Sequence, residues 1–177
     1  MDNNHYFALV TVRFDYLDDR HEGRDSIDTS IYRFINDLGL HPILIPNSPG
    51  NIESLFAALK ESVKLVVFTG GNTLSYVDPS DPSCCLARES VDNFLYLRCL
   101  DYSIPILGIC RGMQFISNKL GLQLVPVTDH VRCTHRVFIP HNNKLHAVNS
   151  FHSWAVRKPD VIPTSFDEIA LDESGHL

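Results

Sequence analysis

The sequence contains no apolar run approaching the roughly 20 residues that a membrane-spanning helix needs. It also lacks a basic cluster, since 15 lysines and arginines stand against 21 acidic residues and give a formal net charge of −6. Nucleic acid is therefore not expected as a partner, because neutralising phosphates requires grouped basic side chains. The N-terminal stretch MDNNHYFALVTV lacks the basic start of a secretory signal. We therefore expect a cytoplasmic protein that binds neither membrane nor nucleic acid.

The five cysteines are an odd number and include no C-x-x-C pair, so we expect reduced thiols rather than disulfides. Four of the nine histidines lie close together in the chain: His130, His135, His141 and His146. No paired cysteine or aspartate pattern accompanies them. We therefore expect them to be loop or strand-edge residues, and we expect no metal site.

Short apolar runs alternate with helical patterns over most of the chain. The expected strands are 7–12, 42–46, 64–71, 104–110 and 122–127, and the expected helices are 26–38, a helix capped by Asn51, 87–100 and a helix after residue 110. Residues 72–85 read as a loop, and short strands without helices are expected at 136–139, 145–156 and 168–175. This alternation predicts an α/β fold with a doubly wound, mostly parallel sheet and helices on both faces, in a single domain 1–177.

A cysteine between two glycines, in GICRGMQ (108–114), follows the fourth of these strands. Ligands of open α/β sheets gather at the carboxyl ends of the strands, where Cys110, Gly70 and Gly71 are expected. A nucleophile in a sharp strand-to-helix turn needs small neighbours, and the N-terminus of the next helix favours a thiolate. Cys110 is therefore either such a nucleophile or a buried structural thiol.

The same region supplies donors for a negatively charged intermediate. The backbone N–H of Arg111 begins the helix after the cysteine, and the turn at Gly71 and Asn72 supplies a second N–H. An ordinary glycine turn at residues 70–71 is the competing interpretation.

Four stretches point to the same family: FTGGNTL (68–74), ILGICRGMQFI (106–116), HAVNSFHSWAV (146–156) and DEIALDESGHL (167–177). They resemble, in this order, the glycine oxyanion loop, the nucleophile elbow, a Val-Asn-Ser-x-His stretch lining the γ-glutamyl site and a later Ala-x-Asp segment. The family is the class I glutamine amidotransferase-like family, in particular its γ-glutamyl hydrolases, which are grouped with peptidase C26.

This resemblance implies a flavodoxin-like sheet and attack by Cys110 on a γ-glutamyl amide, forming a thioester that water resolves into glutamate. It implies no metal or organic cofactor. The residues that it places around the glutamyl group are Gly70, Gln114, Asn149, Ser150 and His152. Some relatives of this kind hydrolyse a γ-glutamyl phosphoramidate of a cytidine nucleotide during capsule biosynthesis, so such a compound is a candidate substrate.

The catalytic base of this family belongs to a His-Pro-Glu stretch beyond the segment that resembles 167–177. The only His-Pro of the sequence, at 41–42, is followed by Ile43. We therefore expect a C-terminally shortened domain that lacks the base and its orienting glutamate. His152 is the best substitute for the base, although the simpler interpretation makes it a residue of the pocket wall.

Three functions remain open. The first is hydrolysis of a small γ-glutamyl compound, with a synthase or a second copy of the chain as macromolecular partner. The second, motivated by the missing His-x-Glu pair, is a catalytically inactive γ-glutamyl-binding or regulatory module. The third, a cysteine peptidase or thiol stress protein on the same sheet, is disfavoured by the Gly-Met-Gln and Asn-Ser-x-His stretches. We adopt the first, and whether the chain turns over substrate unaided stays open.

Overall fold

The structure is a computed structural model that describes residues 6–159, 167 and 169–176. The chain forms two compact units, one ending at Met113 and the other beginning at Gln114. None of the helices in the described part of the chain has the length and apolarity needed to cross a bilayer.

The first unit contains β1 (Phe7–Thr11), β2 (Arg13–Leu17), β3 (Glu22–Ser26), α1 (Ser30–Asp37), β4 (His41–Ile45), α2 (Ile52–Leu59), β5 (Val63–Phe68), α3 (Leu86–Tyr102), β6 (Ile106–Gly108) and the start of α4 (Arg111–Lys119). The second unit contains the rest of α4, β7 (Leu124–Pro126), β8 (Val131–Ile139), a 3-10 turn (Pro140–Asn142), β9 (Lys144–Phe151), β10 (Trp154–Val156) and β11 (Leu171–Asp172).

The central sheet of the first unit is parallel and has the strand order β4-β1-β5-β6. Its order reverses between β1 and β5, so the chain leaves the middle of the sheet in both directions. In such sheets a crevice opens beyond the carboxyl ends of the strands at this reversal. The predicted α/β fold with a parallel sheet is confirmed, and the sheet directs the loop after β5 and the turn after β6 toward the same edge.

Both faces of this sheet are covered. Ala8, Val10 and Val67 point to one face, where they pack with Ile35 of α1, and all four are fully buried. Strand alternation sends Leu9, like other residues of odd parity in β1, to the opposite face, and it is fully buried as well. Two-sided burial explains why these strands read as continuous apolar runs rather than as an alternating pattern.

The helix predicted for 26–38 was wrong at its beginning, because α1 starts at Ser30 and a β-hairpin of β2 and β3 precedes it. The hairpin escaped prediction because charged side chains interrupt both of its strands and pair with each other along the same strand. Arg13 Nε donates to Asp15 at 2.7 Å, and Arg24 Nε donates to Glu22 at 2.7 Å. An apolar periodicity cannot reveal such strands.

The strand predicted for 122–127 exists as β7, but the expectation that it extends the parallel sheet was wrong. β7 pairs antiparallel with β10 in the second unit. The strand predicted for 168–175 is reduced to β11, which pairs with β8, and residue 168 lies outside the described residues. The loop expected at 72–85 contains no helix or strand.

Candidate active site

Cys110 occupies the turn between β6 and α4. Its φ is 53°, in the left-handed region that a residue with a Cβ rarely adopts. The residue is exposed, which excludes the interpretation of a buried structural thiol. It directly precedes the first residue of α4, so the free N–H groups and the positive end of the helix dipole lie beside it.

Glycines at two positions make this turn fit against its neighbours. A Cβ added to Gly70 would lie 3.3 Å from Cys110 Cβ and 3.7 Å from its Sγ, so a side chain there would press on the thiol. A Cβ added to Gly112 would lie 1.9 Å from the carbonyl oxygen of Phe68. Only glycine therefore lets α4 begin this close to β5.

The loop after β5 is held by the buried guanidinium of Arg88. Its nitrogens donate to the carbonyl oxygens of Thr69, Gly70 and Gly71 at 2.8, 3.1 and 2.6 Å. The C=O and the following N–H of a trans peptide point in opposite directions. Because the carbonyls of Gly70 and Gly71 face Arg88, the N–H groups of Gly71 and Asn72 point away from it.

The backbone N–H groups predicted as oxyanion donors remain available. Among the described residues, no protein acceptor takes a hydrogen bond from the N–H of Gly71, Asn72 or Arg111. The side chain of Asn72 has a different task, since its amide exchanges hydrogen bonds of 2.9 and 2.8 Å with the backbone of Phe14. Its φ of 61° completes the left-handed turn.

The side chain of Arg111 is turned inward and is almost completely buried. It forms an ion pair of 2.5 Å with Asp92, and both are buried, at 2% and 0% exposure. Arg88 approaches the same carboxylate at 4.0 Å. Burial, followed by the charge of Arg111, lowers the pKa of Arg88 to about 9, while Asp92 opposes this shift. Sequence reasoning missed Arg88 and Asp92, because charged residues inside a helical pattern are expected on its solvent face.

The loop 72–85 is fastened by a carboxylate. Asp81 accepts a hydrogen bond of 2.6 Å from the hydroxyl of Thr73 and one of 2.8 Å from the N–H of Ser83. These bonds, that of Thr73 first, lower the pKa of Asp81.

The second unit contains the remaining predicted substrate residues. The amide of Gln114, in the first turn of α4, donates to the carbonyl oxygen of Trp154 at 2.9 Å. The hydroxyl of Ser150 donates to the carbonyl oxygen of His130 at 2.6 Å, and Ser150 is 2% exposed. Both side chains therefore have structural contacts within this unit.

Asn149 and His152 line one cavity of about 220 Å³. Asn149 is exposed, whereas His152 is half-buried and its Nδ1 lies 3.0 Å from the carbonyl oxygen of Trp154. Burial, and then the neighbouring His130, lower the pKa of His152.

Three histidines meet in this cavity, whereas His130 and His135 were expected to be loop or strand-edge residues and only His152 was placed in the pocket. One ring nitrogen from each of His130, His135 and His152 lies within 4.8 Å of the others. An odd separation should place positions 130 and 135 on opposite faces of a strand, but the register shifts between Val131 and Cys133. This bulge restores them to one face, and nothing in the sequence pattern announces it.

Comparisons with known proteins identify the family of this chain. The Peptidase C26 family model matches residues 11–141. A γ-glutamyl-CDP-amidate hydrolase of Campylobacter jejuni is 31% identical over 153 residues, which cover 86% of this chain and 72% of the relative. One subunit of the glutamine-hydrolysing GMP synthase of Methanococcus aeolicus is 25% identical over 146 residues, covering 79% of this chain and 67% of that relative.

Two solved structures share the fold. A glutamine amidotransferase from Thermotoga maritima aligns with a TM-score of 0.62 at 17% identity, covering 97% of this chain and 70% of the other. A putative GMP synthase subunit from Thermoplasma acidophilum aligns with a TM-score of 0.60 at 20% identity, covering 96% and 74%. The resemblance predicted from the four sequence stretches is thereby confirmed, and the chain belongs to the Peptidase C26 family.

Proposed function

We propose that this chain is a cysteine-dependent hydrolase of a γ-glutamyl amide. The observation that carries the proposal is the exposed Cys110, which lies in a left-handed turn against Gly70 and at the start of α4. The substrate class is supported by the Campylobacter relative, whose name describes hydrolysis of a γ-glutamyl-CDP-amidate.

The proposed reaction has two steps. The thiol of Cys110 loses its proton, the thiolate attacks the γ-carbonyl carbon, and the C–N bond breaks. The amine leaves with one proton, which balances the proton that the thiol lost. Water then adds to the resulting thioester, glutamate is released, and the thiol is regenerated. The N–H groups of Gly71, Asn72 and Arg111 stabilise the oxyanion of both steps, and one such donor is typically worth about 10²–10³-fold in rate.

We propose Gly70, Gln114, Asn149, Ser150 and His152 as the residues that contact the glutamyl group. Their support is the resemblance of the stretches that contain them to the family's glutamyl-binding segments. Asn149 is the most exposed of the four in the second unit, so its amide is the most accessible to a ligand.

The leaving group and the partner are further parts of the proposal. A nucleotide phosphoramidate is the leaving group favoured by the relative that acts on a γ-glutamyl-CDP-amidate. A synthase that consumes released ammonia is favoured by the GMP synthase relatives. A homodimer is the other proposed assembly.

Glutamate release from a panel of γ-glutamyl amides tests the function. The panel contains glutamine, a γ-glutamyl anilide and a γ-glutamyl-CDP-amidate. We expect release by the wild-type chain, loss of release in Cys110→Ser and retention in Cys84→Ser. Cys84 is a suitable control because its thiol is half-buried, lies outside the elbow and donates to the carbonyl oxygen of Asp78 at 3.3 Å.

Three outcomes have distinct meanings. Release that is unchanged in Cys110→Ser contradicts the assignment of the nucleophile. Tight binding of the γ-glutamyl compounds without release supports the alternative, a catalytically inactive binding or regulatory module. If the γ-glutamyl compounds are neither bound nor hydrolysed, the proposed substrate class is refuted.

A further inference from the structure

The cluster of His130, His135 and His152 has the composition of a transition-metal site. All three side chains are half-buried, and their ring centroids lie 4.5, 5.0 and 6.4 Å apart. Three imidazoles in tilted and edge-to-face contact could pack as an apolar group, but packing does not explain the polar atoms described next. Imidazole nitrogen is a ligand suited to Zn²⁺, Cu²⁺ and Ni²⁺.

His130 contains a polar atom that the protein leaves unsatisfied. Its Nδ1 is buried and has no hydrogen-bond partner among the described residues. Leaving a buried donor or acceptor unpaired typically costs about 1–3 kcal/mol. Its Nε2 faces the carboxylate of Asp172 at 3.7 Å. A carboxylate beside the second nitrogen is the usual outer partner of a metal-binding histidine, and a movement of the His130 ring by about 0.5 Å would bring this pair within hydrogen-bond distance.

Asp172 is itself rigidly held, as an outer carboxylate must be. Its Oδ1 accepts from the N–H groups of Ser174 at 2.9 Å and His176 at 2.7 Å. Its Oδ2 lies 2.9 Å from Nδ1 of His176. The carboxylate therefore cannot turn away from His130 without losing several hydrogen bonds.

His152 is fixed in the tautomer that binds a metal through Nε2. Its Nδ1 lies 3.0 Å from the carbonyl oxygen of Trp154, which can only accept, so Nδ1 carries the proton. Its Nε2 then has a free lone pair. The N–H of His152 donates to the carbonyl oxygen of His130 at 3.1 Å, which ties the two residues together through the backbone.

The spacing of the nitrogens is compatible with one ion. Nitrogens within 4.8 Å of one another lie at most about 2.8 Å from a common centre. Zinc binds imidazole at about 2.0–2.1 Å, so each ring has to move inward by about 0.7 Å, which a small side-chain rotation provides.

We propose that His130, His135 and His152 bind a Zn²⁺ ion, with Asp172 as the outer partner of His130. The ion connects β8, the residue after β9 and, through Asp172, β11. Three protein ligands leave a fourth position for water or a small anionic ligand. That position faces the cavity of about 220 Å³, which also contains Asn149. The proposal does not depend on the function proposed above, because it concerns binding alone.

Metal binding by tag-free, chelator-treated protein tests the site. Zn²⁺ is titrated against a chromophoric competitor, and Co²⁺ is used as a spectroscopic probe of tetrahedral coordination. We expect one ion per chain, tetrahedral Co²⁺ absorption bands and a higher unfolding temperature with Zn²⁺. His135→Ala is expected to lower the affinity by more than about 100-fold, and Asp172→Asn by about 10–100-fold.

His146→Ala is the matched control, because His146 is an exposed histidine of β9 outside the cluster. It is expected to leave the affinity unchanged, as is Cys110→Ser. Circular dichroism shows whether His135→Ala is folded, and His135→Gln replaces it if it is not. Failure of the wild-type chain to bind Zn²⁺, or equal loss of affinity in His135 and His146 variants, overturns the proposal. If the wild-type chain binds Zn²⁺ but releases no glutamate from any γ-glutamyl amide, only the proposed function is refuted.

Discussion

Replacing Gly112 with alanine perturbs the contact that brings α4 against β5. The new Cβ would lie 1.9 Å from the carbonyl oxygen of Phe68 and 2.8 Å from its Cβ. The obstacle at 1.9 Å is backbone, so it cannot yield by a side-chain rotation. Carbon–oxygen contacts need more than about 3 Å, so α4 or β5 must shift by about 1 Å or more.

Two effects of opposite sign determine how much Gly112→Ala changes the free energy of unfolding. Overpacking a tight interior costs about 1–3 kcal/mol or more, and a backbone clash this short belongs at the upper end. Alanine regains about 0.5–1 kcal/mol of helix propensity relative to glycine. We therefore expect a net loss of about 2 kcal/mol or more in the free energy of unfolding. For a chain of this length, that lowers the melting temperature by about 4–8 °C.

Chemical and thermal unfolding of Gly112→Ala measure this loss, with Gly50→Ala as the matched control. A Cβ at Gly50 meets nothing within 4 Å, so this change should alter stability by less than about 0.5 kcal/mol. Displacement of α4 should also move the turn at Cys110 and reduce glutamate release. A Gly112→Ala protein as stable as Gly50→Ala would refute the close packing of α4 against β5.

Three further outcomes are expected. Arg88→Met should lower the free energy of unfolding by about 3–5 kcal/mol, because it removes a buried charge that binds three carbonyl oxygens. The control Arg98→Met removes a half-exposed charge and should cost less than about 1 kcal/mol. Equal losses of the two variants in urea unfolding would contradict this. Iodoacetamide should alkylate Cys110 and spare Cys99, because burial raises the pKa of Cys99 to about 12 and leaves its side chain 1% exposed. Peptide mass mapping that finds Cys99 alkylated in the folded chain would contradict this prediction. Asp81→Ala should destabilise the chain near neutral pH and less so in acid, because hydrogen bonds lower the pKa of Asp81 in the folded chain. The stabilisation by Asp81 is present above the unfolded pKa of about 3.9 and is lost as pH falls through the lower folded pKa. A difference in urea midpoints that does not change with pH would contradict this.

The elements that were predictable from the sequence are those whose residues are buried on one or both faces. The runs that contain Leu9 and Val66 are mostly buried, and their largely apolar character predicted parallel strands. The elbow at Cys110 was predictable because the tight turn requires glycine at positions close to the cysteine in sequence, such as Gly112.

The features that escaped prediction depend on long-range pairing. Arg88 lies in a segment that the sequence predicted only as a helix, yet its guanidinium binds carbonyl oxygens 17 to 19 positions earlier in the chain. Residues 130 and 135 share a face only because a bulge shifts the register between β8 and β9. The local sequence around a charged residue or a histidine does not reveal such a partner, because the partner belongs to another segment of the chain.

Covalent labelling by an electrophilic diazo-ketone analogue of glutamine tests the central claim, the nucleophilic role of Cys110, most directly. The carbon bearing the diazo group forms a bond with sulfur, N₂ leaves, and intact mass spectrometry counts the adducts. The account predicts a single adduct that disappears in Cys110→Ser and is blocked by excess glutamine. No adduct, or equal labelling of several cysteines regardless of glutamine, would contradict it.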